Sequence, residues 1–197
     1  MSGGSPIDVA LPGFAAPVEQ AQQCFRAVLD AVARPGTLAS AGEGLAAPAP
    51  LDPATAAVLL TLVDHDTPLW IDPACLAARD WIAFHCGARF TDLPGRAAFA
   101  LALGLPDLTV LSAGTHEQPE SSATLLLQVA SLRSGTRYRL RGPGLLTPST
   151  LAVSGLAAEF PEIWRRNRAG FPLGVDLVLC AGTTLAALPR AVTVEAV

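Results

Sequence analysis

Val175, Leu177, Val178, Leu179 and Cys180 form a nearly apolar run, interrupted only by Asp176. Such a run reads as a strand buried on both faces. A strand of that kind needs a sheet with layers on either side of it. Asp176 then either caps local backbone groups or pairs with an arginine, because an unpaired buried charge is too costly. Arg190 is the candidate partner. A turn over Ala181 to Thr184 and a return strand over Leu185 to Leu188 bring it back across a hairpin. Upstream, Pro161 opens a helix through Ile163 and Trp164 that closes on Arg165, Arg166 and Arg168. Gly170 is placed for a left-handed C-terminal residue, and Phe171 to Gly174 turns the chain. Any function of this stretch beyond the core is expected at its ends, at Asn167-Arg168 and at Arg190.

The remaining elements interleave. Residues 1–16 read as a loose leader and 17–197 as one domain. Val18, Ala21, Phe25, Val28, Leu29 and Val32 recur at helical spacing, which predicts a helix over 18–33. Arg26 and Asp30 lie four apart on its wet side. Asp52 before Pro53 marks a second helix start, with Asp52 as N-cap. Asp64 to Pro68 ends that helix, Leu69 to Ile71 is a short strand, and Asp72-Pro73 opens a helix over 73–85. Ala97 to Leu101 reads as a strand, while Leu105 to Gly114 shows no period. Ala123 to Leu132 is a strong strand. After a turn at Arg133 to Gly135, Arg137, Arg139 and Arg141 alternate with Tyr138 and Leu140, a half-buried strand. These last two strands are expected to pair as an antiparallel hairpin. Val192 to Val194 continues the C-terminal return. The expected fold is α/β, with a mixed sheet and helices on both faces.

Composition removes whole classes of chemistry. All 13 basic residues are arginine and none is lysine. Schiff-base chemistry on a side-chain amine is therefore excluded, as is a Walker loop. The net charge of −4 gives no general pull toward nucleic acid or acidic membranes. Charged residues make up only 15% of the chain, which points to a further buried surface, a partner or a homodimer. Cys24, Cys75, Cys86 and Cys180 lack paired spacing and read as reduced structural thiols. No basic residue precedes Arg26, and the uncharged run Gly142 to Ala158 is broken by Pro and Gly. A signal peptide and a membrane span are not expected, and the expected location is the cytoplasm.

Asp64, His65 and Asp66 are the densest titratable cluster. They suit metal ligation or acid–base work, or a turn at a helix end in which Asp66 meets Thr67. The turn is favoured, because no third metal ligand is nominated. His85 beside Cys86 reads as helix-end packing rather than a catalytic pair. Arg137, Arg139 and Arg141 form a row on one strand face. Such a row clamps phosphate or a partner's carboxylates through bidentate contacts, or else is a solvated face or a guarded edge.

Several blocks then fall together: Phe25-Arg26, Pro35-Gly36, LLTLVDHDTPLW at 59–70, Phe84-His85, ATLLLQVASL at 123–132, Leu140 to Gly144, FPLGVDLVL at 171–179, and Pro189-Arg190 with Val194-Glu195. In this order and spacing, over residues 14–195, the chain resembles the PhnH family, the H subunit of the carbon–phosphorus lyase core complex. It carries Ala191-Val192 where the family pattern has Thr-Thr. The resemblance implies a three-layer α/β/α fold similar to the large domain of pyridoxal-phosphate (PLP)-dependent transferases, without PLP or any other cofactor. It implies a homodimer that assembles with the G, I and J subunits. That complex couples a phosphonate to the ribose of a nucleoside triphosphate, giving ribose 1-phosphonate 5-triphosphate, and a radical iron–sulfur step on J later breaks the C–P bond. This chain has no cysteine set for such a cluster. It is expected to be a non-catalytic accessory subunit. The alternatives are a phosphate- or phosphonate-binding module and a stand-alone metal-dependent hydrolase on Asp64, His65 and Asp66. The candidate ligand-binding residues, for a phosphonate or a nucleotide, are Arg137, Arg139, Arg141, Arg190, Asp64, Asp66 and His85. No catalytic or metal-binding residue is named.

Overall fold

The computed structural model describes residues 11–197. A six-stranded mixed sheet forms its centre, as the apolar run at 175–180 requires. The strands are β1 (Ala39–Ser40), β2 (Leu69–Ile71), β3 (Phe99–Ala102), β4 (Thr124–Gln128), β7 (Asp176–Ala181) and β8 (Thr184–Leu188). Their spatial order is β1-β8-β7-β4-β3-β2. β2, β3, β4 and β7 run parallel, β8 returns antiparallel to β7, and β1 pairs antiparallel with β8 at that edge. A separate three-stranded antiparallel sheet has the order β6-β5-β9, from β6 (Ser149–Ser154), β5 (Ser131–Arg141) and β9 (Thr193–Ala196).

The central sheet divides two apolar cores. Leu101, Leu126, Val178, Cys180 and Leu185 face a core filled by α1 (Pro17–Ala33), α2 (Pro53–Leu62) and α3 (Arg79–Cys86). Leu125, Leu127, Leu177, Leu179 and Leu188 face the other, filled by α4 (Phe160–Ala169) and the inner side of the small sheet. The mixed sheet is therefore as expected. Its second covering layer, however, is one helix plus a sheet rather than helices alone. Among the described residues no helix is long and apolar enough to cross a membrane.

Several local expectations need correction. β4 and β5 do not form a hairpin. Leu125, Leu126 and Leu127 are all buried, so β4 needs neighbours on both edges and takes β3 and β7. The chain then leaves the central sheet within two residues, with the Val129 N–H on Cys180 O and the Ala130 N–H on Ser154 O. The expected turn at 133–135 is a bulge inside β5, across which the register jumps from Ser131 to Thr136. The helix expected over 73–85 starts as a 3-10 turn, Pro73–Ala78, before α3. Asp52 precedes α2 as expected, but its carboxylate accepts from the Gly182 N–H at 2.8 Å rather than capping its own helix. Asp30 pairs with Arg34 at 2.8 Å, not with Arg26. Gly170 is right-handed (φ −80°); the left-handed glycine of that turn is Gly174, at φ +135°. Of the expected leader, residues 1–10 lie outside the described residues. The Leu11 carbonyl accepts from Trp81 Nε1 and His85 Nε2, each at 3.0 Å.

Gly144 shows how tightly the turn after β5 meets α1. It adopts φ +83°, and a Cβ there would lie 2.1 Å from the Ala33 carbonyl oxygen. Both the dihedral and the backbone contact oppose a side chain. Gly144→Ala is expected to destabilise by about 2–3 kcal/mol, read as a lower urea midpoint at unchanged slope.

Candidate functional site

At the end of α4, the Asn167 side chain is used as a piece of backbone. Its Nδ2 donates to Val175 O and its Oδ1 accepts the Val175 N–H, both at 2.8 Å. That locks α4 to the entry of β7. Gly174 is required at the intervening turn, because a Cβ there would sit 3.0 Å from Asn167 O. Asp176, the first residue of β7, meets Arg190, which lies two residues past β8 and which the β7–β8 hairpin brings back beside it. Arg190 Nη2 lies 2.9 Å from Asp176 Oδ2, and the Arg190 N–H donates to Asp176 Oδ1 at 2.6 Å. Arg190 Nη1 also donates to Pro119 O (2.9 Å) and Gly174 O (2.8 Å). The two side chains keep only 15% and 29% exposure. This one guanidinium therefore ties together three chain segments and β7, with every contact going to this chain's own groups.

Beside this knot lies a cleft of about 600 Å³ between the loop after β3 and α4. Leu105, Leu108, Leu111, Ile163 and Leu173 give it apolar walls, and Asp107 and Arg166 bring charge to its lining. Asp107 accepts from the Thr109 hydroxyl (2.7 Å) and N–H (2.9 Å). Those bonds, the hydroxyl's first, hold its carboxyl below the usual range. Glu162 takes both Arg165 (2.8 Å) and Arg166 (3.0 Å), and these donors lower its carboxyl to about 2. Glu162 thus holds Arg166, whose side chain lines the cleft, from outside it. Asp107 Oδ1 and the Asn167 amide in the cleft lining both make local hydrogen bonds.

The sequence-nominated residues are distributed rather than gathered. Asp64 Oδ1 accepts from the Asp66 N–H (2.9 Å), the Thr67 hydroxyl (3.0 Å) and the Thr67 N–H (3.1 Å), closing the turn after α2. These bonds, the one from Asp66 first, hold its carboxyl low. His65 and Asp66 touch at 3.3 Å, both with more than three-quarters of the side chain in solvent (77% and 79%). His85 stands at the end of α3 between Trp81 and Phe84, with ring centroids at 4.7 and 5.0 Å. Because the Leu11 carbonyl can only accept, Nε2 carries the proton. Arg137, Arg139 and Arg141 lie exposed on the outer face of β5, beyond the second core and so on the other side of the central sheet from His85. Among the described residues no three His, Cys, Asp or Glu side chains come together as a metal set. The four cysteines are free thiols, and burial pushes the Cys75, Cys86 and Cys180 thiols up to about 12.

No single segment of the sequence marks this cleft. Its walls come from 105–113, a run without readable period, and from 163–174, some fifty residues later. Of the ends expected to carry function, Asn167 lines the cleft and Arg190 holds the Gly174 carbonyl at its edge, while Arg168 donates to Ala191 O.

Comparison with known proteins returns one family over nearly the whole chain. The model described as "Bacterial phosphonate metabolism protein (PhnH)" matches residues 12–195. The chain is 43% identical over 187 residues to the "Alpha-D-ribose 1-methylphosphonate 5-triphosphate synthase subunit PhnH" of Rhizobium meliloti, covering 92% of this chain and 94% of that protein. It is 33% identical over 190 residues to the "Putative C-P lyase subunit protein HtxG" of Stutzerimonas stutzeri, covering 94% of this chain and 90% of that one.

Proposed function

The chain belongs to the PhnH family of bacterial phosphonate metabolism proteins, and on that premise we propose that it is an accessory subunit of the carbon–phosphorus lyase system. In this reading it supports formation of ribose 1-phosphonate 5-triphosphate from a phosphonate and a nucleoside triphosphate in the cytoplasm, while G, I and J subunits carry the bond-making steps. The observation that carries it is the match, over 92% of this chain, to a relative named as a subunit of that synthase. The side chains fit an accessory role. Asp64, Asp107, Asp176 and Asn167 all make local hydrogen bonds that shape the fold. Kinship to the large domain of PLP-dependent transferases belongs to the same proposal. A chain without lysine has no amine to hold that cofactor as a Schiff base.

The proposal includes a homodimer, and α1 supplies its seam. Only one stripe of α1, through Cys24, Val28 and Ala31, reaches the core. The flanking stripe of Val18, Phe25, Leu29 and Val32 is 79%, 46%, 51% and 42% exposed. Next to it lies a hollow of about 590 Å³ lined by Val18, Ala21, Leu60 and His85. A ridge beside a hollow is the self-complementary surface that a two-fold interface requires. Light scattering is expected to give twice 20.3 kDa for the chain alone, and co-expression to give one complex with the G, I and J subunits. Phe25→Glu is expected to halve the mass of the isolated chain. A chain that elutes apart from all three subunits would end the accessory reading; an unchanged mass for Phe25→Glu would end the α1 seam.

A further inference from the structure

The small sheet has an outer face that no part of the described chain covers. Tyr138 and Leu140 point into the second core and are 2% and 0% exposed, which fixes the register of β5. The alternate residues Arg137, Arg139 and Arg141 must then point outward together. On a strand, such positions recur every ~6.8 Å, so the three guanidinium stems span about 14 Å.

β5 is the middle strand, with β6 on one side and β9 on the other. Charges that guard a sheet against aggregation belong on its edges, so edge protection does not account for this row. Nor does internal pairing. The residues opposite the row are Ala152 and Thr150 on β6, and Thr193 and Glu195 on β9. Glu195 is the one acid among them, opposite Arg139. Among the described residues none of the three arginines forms a salt bridge. A chain of net charge −4 has thus concentrated three like charges on a rigid strand, each within a Debye length of its neighbour.

We propose that this face docks an acidic segment of a protein partner, through bidentate pairs between Arg137, Arg139 and Arg141 and carboxylates repeating every ~6–7 Å. Alternate residues of an extended strand have that repeat, and so do positions four apart on a helix. The inference rests on the accessory-subunit reading and names the face that assembly would use. Single-stranded nucleic acid fits less well. None of the outward residues is aromatic, so bases have no stacking platform, and three phosphate contacts in an acidic chain give weak, salt-labile binding. A lone phosphate is too small to engage a row ~14 Å long.

The test is co-expression with the G, I and J subunits, with affinity measured by titrating tagged partner complex at several salt concentrations. The wild-type chain is expected to assemble, more weakly as salt rises. R137E/R139E/R141E is expected to lose at least about 100-fold in affinity, and R137K/R139K/R141K to lose far less, because it keeps charge without the fork. All three side chains are in solvent, so the Glu triple is expected to melt within a few degrees of wild type. Should it unfold, R137Q/R139Q/R141Q must show the same loss of affinity. If wild type assembles and the Glu and Gln triples assemble equally well, this face is not the dock, while the accessory reading stands. If wild type does not assemble, both fall. Row-dependent binding of a labelled oligo-dT, with partner binding unaffected, would assign the face to nucleic acid and overturn the proposal.

Discussion

Arg190→Ala is expected to destabilise the fold by about 2–4 kcal/mol. That lies somewhat below the usual cost of stripping one member from a fully buried pair, because both side chains keep some solvent. The change strands the Asp176 carboxylate and removes the donor from the carbonyls of Pro119 and Gly174. For a domain of this size the melting temperature should fall by about 5–12 °C. Asp176→Asn keeps an oxygen to accept the Arg190 N–H and is expected to lose less than half as much. A double-mutant cycle between Asp176→Ala and Arg190→Ala should show coupling above about 1 kcal/mol. An Arg190→Ala melt within a degree of wild type would show that the pair contributes nothing to stability.

Trp164→Ala is expected to be the more damaging change. Trp164 is fully buried at the centre of α4, packs against Phe160 at 6.1 Å between ring centroids, and donates its indole N–H to Val192 O at 2.8 Å. Truncation opens a cavity and leaves a buried carbonyl without its donor, together about 4–6 kcal/mol. Against a total stability of about 5–15 kcal/mol, that leaves the variant marginally folded. Trp164→Phe refills most of the space but not the hydrogen bond, and is expected to lose about 1–3 kcal/mol. Urea titration followed by circular dichroism separates the two. Equal midpoints for Ala and Phe would mean that packing at this position matters little. Because α4 forms one wall of the cleft, partial unfolding of Trp164→Ala should also open that wall first.

Much of this architecture could be read from local pattern. Helix 18–33 was legible from its repeating apolar residues, although these proved to serve two surfaces, one stripe facing the core and one facing outward. The Asp176–Arg190 pair was legible because a tight hairpin turn fixes which residues face each other without long-range information. The supposed β4–β5 hairpin failed for the opposite reason. Neighbours in sequence looked like neighbours in space, whereas burial on both faces sends β4 to β3 and β7, the latter nearly fifty residues away. The cleft stayed hidden because its floor is apolar side chains from distant segments, each unremarkable alone. The arginine row was visible as a row, but only the strand order shows that it occupies a central strand and not an edge.

The central sheet also sets how errors in this protein combine. On β4, Leu126 belongs to the core under α2 and α3, while Leu125 and Leu127 belong to the core under α4 and the small sheet. Neighbours one bond apart in the chain therefore answer to different sets of contacts. A loss of volume at Leu126 can be repaired only from the three-helix side, and one at Leu127 only from the other. The two halves can accumulate changes as nearly separate ledgers, additive across the wall and strongly interdependent on either side of it. A partner that stiffens the outer sheet would steady the α4 core and leave the helices on the far face free to diverge.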